Sequence, residues 1–304
     1  MSKFSKWCVA VSLAVVILSL PAYAEQLDIR YEMGRQVKLP EDQIDVGIAA
    51  LTFAKEIYPE IDIAAYSRKI DALADQVRQF ADGTQDPERR IRVMNTVLFR
   101  MQGFHYDRDP FSRNKLEYYF LNGILDTKQG ICYTLPLLYV AVAQRVGYPV
   151  YPVMAPDHMF VRYSDPSFKE QNIEVTSGGK YFEDSWYIKD FSISKLGLKS
   201  GAYLKTLTYK EFVGQMLSAS AFALGRNGNG GRAVQYLEVA VKLDPRCADC
   251  YNELKNGYMR WSEVTSGETA IRFKEKSQQS DVKAKELGFV DLPEISRGRE
   301  LRGK

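Results

Sequence analysis

Gly130-Ile131-Cys132-Tyr133-Thr134-Leu135-Pro136-Leu137-Leu138-Tyr139-Val140-Ala141-Val142-Ala143-Gln144-Arg145-Val146-Gly147-Tyr148-Pro149 is the stretch on which the fold turns. Its long apolar run from Ile131 to Val146 suits a buried helix. Gly147 stands where a left-handed C-terminal cap belongs, and Pro149 prevents continuation. Pro136 fixes the start, because proline is tolerated in a first turn, whose N–H groups have no intrahelical partner, but disrupts a helix begun much earlier. Cys132 then sits at the helix tip, where unsatisfied N–H groups and the positive end of the helix dipole favour a thiolate. The same N–H groups suit the oxyanion of a tetrahedral intermediate.

Downstream of Pro149 the period changes to two. His158 to Tyr163 and Asn172 to Thr176 alternate in polarity as half-buried strands do, with a turn at Asp165-Pro166-Ser167 between them and Gly178-Gly179 closing the second. Upstream, apolar residues recur at helical spacing from Glu41 to about Arg100, broken at Pro59 and over Gly83 to Pro87 into two or three helices. Asp107 to Lys115 is polar and turn-rich, and Leu116 to Leu125 predicts one more helix. Helical pattern returns from about Thr208.

A thiolate nucleophile needs a proton acceptor that titrates near neutral pH, and the chain offers two histidines, His105 and His158. His158 is the better base. It opens a strand and shares a face with Phe160 and Arg162, whereas His105 lies in a polar stretch. The base must in turn be oriented, and Glu174, with Asn172 and Thr176 on its face, comes opposite or diagonal to His158 if the two strands pair. Asp157 adjoins His158, but neighbours on a strand point to opposite faces. Asn122 and Gln129 are candidate oxyanion donors. Tyr118, Tyr119, Phe120 and Trp186 are candidate cleft residues, with core packing the commoner use of such aromatics.

Gly130-Ile-Cys132 opening a buried helix, Ala155-Pro-Asp-His158-Met-Phe-Val-Arg162 and Asn172-Ile-Glu174-Val-Thr-Ser-Gly-Gly179 together resemble bacterial transglutaminase-like proteins of the papain-like superfamily. In that family a cysteine on a helix is followed by a histidine and an acid on successive strands. The resemblance covers roughly Leu39 to Ile188 and implies triad roles for Cys132, His158 and Glu174, acyl transfer through a thioester on the cysteine, and a protein or peptide substrate. Glu174 departs from the aspartate usual in the superfamily, so its reach to His158 is the geometry to examine. Some members carry tetratricopeptide repeats behind the core. Here Leu224-Gly225-Arg226, Ala233 to Leu237, Ala240 and Leu243-Asp244-Pro245 resemble one such repeat, and Tyr251, Leu254 and Tyr258 the first helix of a second.

The chain has 304 residues, 45% of them hydrophobic, enough for a full core. Lys3 and Lys6 before the apolar run Trp7 to Leu20, then Pro21-Ala22-Tyr23-Ala24, read as a secretory signal peptide cut before Glu25, which places the mature protein in the periplasm or outside the cell. The net charge of +3 becomes +1 without Lys3 and Lys6, a balance that offers nucleic acid no footprint. Cys8 leaves with the leader. Cys247 and Cys250 lie close enough to pair, as a local disulfide or as two packed thiols; if they bond, Cys132 is the odd thiol of an oxidising compartment. A lone C-x-x-C without further Cys or His nearby is weak evidence for zinc or redox chemistry.

The expected fold class is α+β: a signal peptide over 1–24, a papain/transglutaminase-like core with a helical leader over 25–205, an all-α tetratricopeptide-like module over 206–288 and a solvated tail over 289–304. The expected activity is that of a cysteine hydrolase or acyltransferase on amide bonds, with no cofactor and no metal. Repeat helices that bind a protein partner, on a core without catalysis, are the alternative.

Overall fold

A computed structural model describes residues 30–109, 115–169 and 171–291. The expected leader, most of the expected tail and part of the Asp107–Lys115 stretch lie outside the described residues.

The apolar run folds as a central helix, α5 (Thr134–Arg145), in which every residue from Thr134 to Ala143 is buried. A helix apolar on all sides needs neighbours on all sides. They are α1 (Val46–Ile57), α2 (Ile63–Ala81), α3 (Pro87–Asn95, continued by a π-helical turn over Thr96–Met101) and the short α4 (Leu121–Thr127). Asp45, Asp62 and Asp86 each accept a hydrogen bond from a first-turn N–H, which starts α1, α2 and α3 where the breaks at Pro59 and Gly83–Pro87 allow. Arg145 at the end of α5 pairs with the capping Asp45 and, at 2.8 Å, with Asp71 of α2, so cap and helix end are tied together. Gly147 closes α5 at φ +73°.

A four-stranded antiparallel sheet packs on the other side, in the order β3 (Val150–Ala155), β4 (His158–Tyr163), β5 (Asn172–Glu174), β6 (Lys180–Tyr181). Strand β3 carries Pro152, which reads against a strand. It is an edge strand, where the missing N–H costs nothing, and the Pro152 and Met154 carbonyls still accept from Leu207 and Leu204. Strand β5 is shorter than the expected Asn172–Thr176. It stops at Glu174, whose side chain accepts from the Thr176 N–H and begins a 3-10 turn over Val175–Ser177. A two-residue parallel pair, β1 (His105–Tyr106) with β2 (Gln129–Gly130), leads the chain into Cys132.

The stretch Leu116–Leu125 is not one helix. A 3-10 turn over Leu116–Tyr119 is separated from α4 by Phe120 in extended conformation, its ring buried with Ala54 and Ile61 and edge-on to Tyr58 at 5.6 Å. After β6 come α6 (Asp184–Asp190) and α7 (Lys195–Ser200), then four helices joined by short turns: α8 (Tyr209–Arg226), α9 (Gly230–Leu243), α10 (Ala248–Val264) and α11 (Gly267–Glu286). Thr208 and Glu211 form a capping box at the start of α8. The main apolar core runs without interruption from α1 and α5 into α8, through Phe212, Val213, Met216 and Leu217. Cys247 and Cys250 are joined as a disulfide at the head of α10. Among the described residues no helix is long and apolar enough to cross a membrane.

Candidate active site

Gly130 sits in β2 two residues before the candidate nucleophile, and a Cβ there would lie 2.5 Å from the Ile124 side chain and 3.0 Å from that of Leu135. A side chain there would have to push Ile124 and Leu135 aside where the chain passes between α4 and α5. The Ile131 N–H then donates to the Thr134 hydroxyl at 3.1 Å, and the Ile131 carbonyl accepts from Leu135 at 3.1 Å. The first turn of α5 therefore forms around Cys132, a half-buried residue with Pro136 one turn ahead.

His158 begins β4, opposite Ala155 of β3 across a two-residue turn made by Pro156 and Asp157. Asp157 was expected on a strand with its side chain turned away. It stands instead at the turn tip with φ +57°, and its carbonyl accepts from the Cys132 thiol at 3.8 Å. Proline followed by a residue of positive φ is the pattern of a type II turn. That turn brings His158 toward the helix tip at Cys132, and Cys132, Asp157 and His158 all border one cavity of ≈ 440 Å³.

The register of β4 and β5 pairs Val161 with Ile173 and Arg162 with Asn172. Continued, it puts Glu174 two positions along from His158, the diagonal relation, and the longer glutamate reaches it: His158 Nε2 donates to Glu174 Oε2 at 2.8 Å, both side chains buried. The carboxylate also accepts from the Tyr187 hydroxyl at 3.1 Å and from the backbone N–H and hydroxyl of Thr176 at 3.0 and 2.5 Å. Burial alone would raise its pKa, but the adjoining His158 and the two Thr176 donors outweigh burial and hold it below the ordinary carboxylate value. Tyr187 answers in the opposite sense, its hydroxyl pushed well up, first by burial and then by Glu174. With Nε2 given to Glu174, Nδ1 is the basic nitrogen of the imidazole.

Several neighbours have no strong signal in the sequence. Phe191 stacks on the His158 ring at 4.7 Å, and Tyr187 on Phe160 at 3.8 Å. Only the density of aromatics from Phe182 to Phe191 hints at this layer. Arg162 clasps the sheet from its far end, donating to Asn172 at 2.7 Å, to the Leu204 carbonyl at 3.0 Å and to Asp184 at 2.8 Å. The opposite wall of the cavity comes from the helices beyond the sheet, Gln215, Ser218 and Phe222 of α8 and Asp249 and Glu253 of α10. Burial, reinforced by Asp157 and Glu253, pushes the Asp249 carboxyl up to about 7.

Other candidates fall elsewhere. Asn122 is buried in α4, and Gln129 accepts from the Tyr118 hydroxyl at 2.6 Å; neither borders the cavity. Tyr119 does border it, while Tyr118 and Phe120 pack into the interior. Trp186 stacks on Phe182 at 4.3 Å, away from the cavity lining. His105 faces solvent, its Nδ1 2.9 Å from the Gly103 carbonyl. Among the described residues no group of three His, Cys, Asp or Glu side chains is placed to hold a metal.

A family model for the transglutaminase-like superfamily matches residues 64–218, half of the chain, and takes in α2 through α5, the whole sheet and the start of α8. The chain belongs to the transglutaminase-like superfamily. Within curated proteins it is similar to F-box only protein 21 of Homo sapiens, 29% identical over 89 residues, which is 28% of this chain and 14% of that protein. It is also similar to a UPF0162 protein of Xylella fastidiosa strain Temecula1, 25% identical over 113 residues, 37% of this chain and 40% of that protein. The transglutaminase-like chain thus spans less than half the length of the curated relatives it matches.

Proposed function

We propose that this transglutaminase-like protein is an exported cysteine hydrolase or acyltransferase acting on amide bonds of a protein or peptide, with Cys132 as nucleophile, His158 as base and Glu174 as the group that orients it. The observation that supports this best is the buried 2.8 Å hydrogen bond between His158 and Glu174, set behind the cavity that Cys132 also borders.

His158 Nδ1 takes the thiol proton, and the thiolate attacks the amide carbon. Backbone N–H groups at the head of α5 receive the oxyanion. As the tetrahedral intermediate collapses, the imidazolium returns its proton to the departing amine and leaves a thioester on Cys132. Water gives hydrolysis and an amine gives a new amide; in either case His158 accepts the incoming proton and hands it to the sulfur. Glu174, anionic and four times hydrogen-bonded, holds the tautomer and balances the imidazolium charge.

The same reading takes residues 1–24 as a leader removed on export, 25–205 as the catalytic unit and 206–288 as tetratricopeptide-like helices behind it. Close helix crossings support the last point: a Cβ on Gly214 would come within 3.0 Å of the Ala240 carbonyl.

Iodoacetamide labelling of Cys132 across pH tests the triad. An activated thiolate reacts well below the roughly pH 8.5 pKa of a free cysteine, and substituting His158→Ala removes that reactivity. Labelling that rises only near pH 8.5, unchanged in His158→Ala, rejects the reading. Mass spectrometry of Cys132 after exposure to periplasmic extract then seeks the acyl adduct.

A further inference from the structure

The cavity at Cys132 does not end at the catalytic residues. Ser218, Phe222, Arg226 and Glu253 border it and also border a second cavity of ≈ 570 Å³ between α8, α9 and α10. The two are therefore one groove. Its walls are regular stripes: Gln215, Ser218, Phe222 and Arg226 recur at helical spacing on α8, and Asp249, Glu253, Gly257 and Val264 do so on α10. Ala233, Val234 and Leu237 of α9 line the space between them. Large apolar groups are left to solvent along it, Phe222 at 38% and Val264 at 75% exposure, and the half-buried Trp261 lines it as well.

We infer that this groove is a docking site for the substrate itself, an extended polypeptide segment with apolar side chains, which α8 and α10 hold while one of its carbonyls reaches Cys132. The inference rests on the catalytic reading of Cys132 and adds to it where the peptide lies and which side chains it carries. Length argues for a polypeptide over a small amide. From Asp249 to Val264 the α10 stripe covers fifteen steps of about 1.5 Å, roughly 22 Å, the span of about six or seven extended residues. Continuity with the cavity of the nucleophile argues for substrate over an unrelated partner. Apolar side chains are the match for Phe222, Trp261 and Val264, since each such contact removes surface from water on both sides.

Gly225 supplies a clean test. It is helical, borders the groove and has no heavy atom within 4 Å of where a Cβ would stand, so Gly225→Leu puts a side chain into the groove from open space, at a position that does not line the cavity of His158. The probes are N-chloroacetyl-glycinamide and two mixtures of octapeptides randomised over Ala, Leu, Phe, Ser and Tyr. One mixture carries the chloroacetyl group at its N-terminus and the other on a C-terminal lysine, so that either chain polarity is covered. Alkylation of Cys132 is followed by intact-protein mass spectrometry. One mixture should alkylate the wild type at least about tenfold faster than the small probe, and Gly225→Leu should cut that advantage to about threefold or less, with the small-probe rate unchanged and the thermal melt not lowered, leucine being the better helix former. Equal rates for all probes in the wild type, or an advantage that survives Gly225→Leu, overturns the inference. So does sedimentation showing a dimer that Gly225→Leu dissociates, since a second copy would then be the occupant. Failure of the catalytic reading looks different: the small probe itself would react only near pH 8.5.

Discussion

The carboxylate of Glu174 accepts the Nε2 proton of His158 at 2.8 Å across two neighbouring strands, and neither side chain meets solvent. An amide in that place keeps the shape but offers the imidazole a donor where an acceptor is needed. Glu174→Gln should lower kcat, or the iodoacetamide rate of Cys132 at pH 6.5, by about 10²–10⁴-fold while the fold is retained. The same variant carries a pH signature. Glu174's folded pKa lies below its ordinary 4.5, so its charge contributes stability above that pH, and the contribution is lost as pH falls through the folded value. Urea titrations should therefore show wild type more stable than Glu174→Gln at pH 6 to 7, with the gap closing below about pH 4. A constant gap down to pH 3 would contradict the assignment.

Tyr187 separates orientation from packing. Its ring lies on Phe160 at 3.8 Å while its hydroxyl donates to Glu174 at 3.1 Å, and Tyr187→Phe removes only the second. A hydrogen bond to a charged acceptor is worth about 1.5–3 kcal/mol, so stability should drop by about that much in thermal unfolding. Thiol reactivity should fall by about threefold to tenfold, far less than in Glu174→Gln, because Thr176 still holds the carboxylate. A loss as large as that of Glu174→Gln would make Tyr187 more than a support.

Asp249 puts a titration near neutral pH into the cavity wall. Its folded pKa of about 7 is raised from 3.8, so the stability it contributes is full below pH 3.8 and is lost as pH rises through 7. Asp249→Asn should then be more stable than wild type at pH 8, by about 1 kcal/mol or more, and equal to it at pH 3.5. Removing a negative charge from the cavity should also move the alkylation profile of Cys132 to lower pH. A profile that stays in place, with stability unchanged at pH 8, would show that Asp249 is solvated and ionised throughout.

The spine of this architecture was legible because its signals are local. The apolar run of α5, its Pro136 start and its Gly147 stop need no partner to be recognised, and His158 and Glu174 lie in segments whose sequence alternates in polarity, although the two strands are buried on both faces and not half-buried as that alternation predicts. Strand β3 was hidden by Pro152, which is harmless only because this strand is the sheet edge, a fact of topology. The α4 break at Phe120 depends on what its ring packs against. Asp157 reads as part of the strand and not of the turn because a non-glycine residue at φ +57° leaves no mark in composition. The distant wall of the cavity, Phe222 and Asp249, is brought to Cys132 by long-range packing of α8 and α10, for which one sequence carries no periodic signature.

The disulfide between Cys247 and Cys250 decides between a fastener and a second chemistry. Both residues are buried, at 4% and 0% exposure, and the bond closes one turn at the head of α10, where the Cys250 N–H also donates to Cys247 Sγ at 3.0 Å. Closing so short a loop removes only about 2 kcal/mol of denatured-chain entropy, and a buried pair is shielded from thiols in solution. Replacing both by Ala should therefore cost about 1–3 kcal/mol in urea unfolding and lower the melting temperature by several degrees. The iodoacetamide rate of Cys132 should stay within about threefold of wild type, because neither residue touches His158 or Glu174. Should the double variant instead lose acyl transfer while Cys132→Ala retains it, the roles assigned to the two cysteine sites would have to be exchanged.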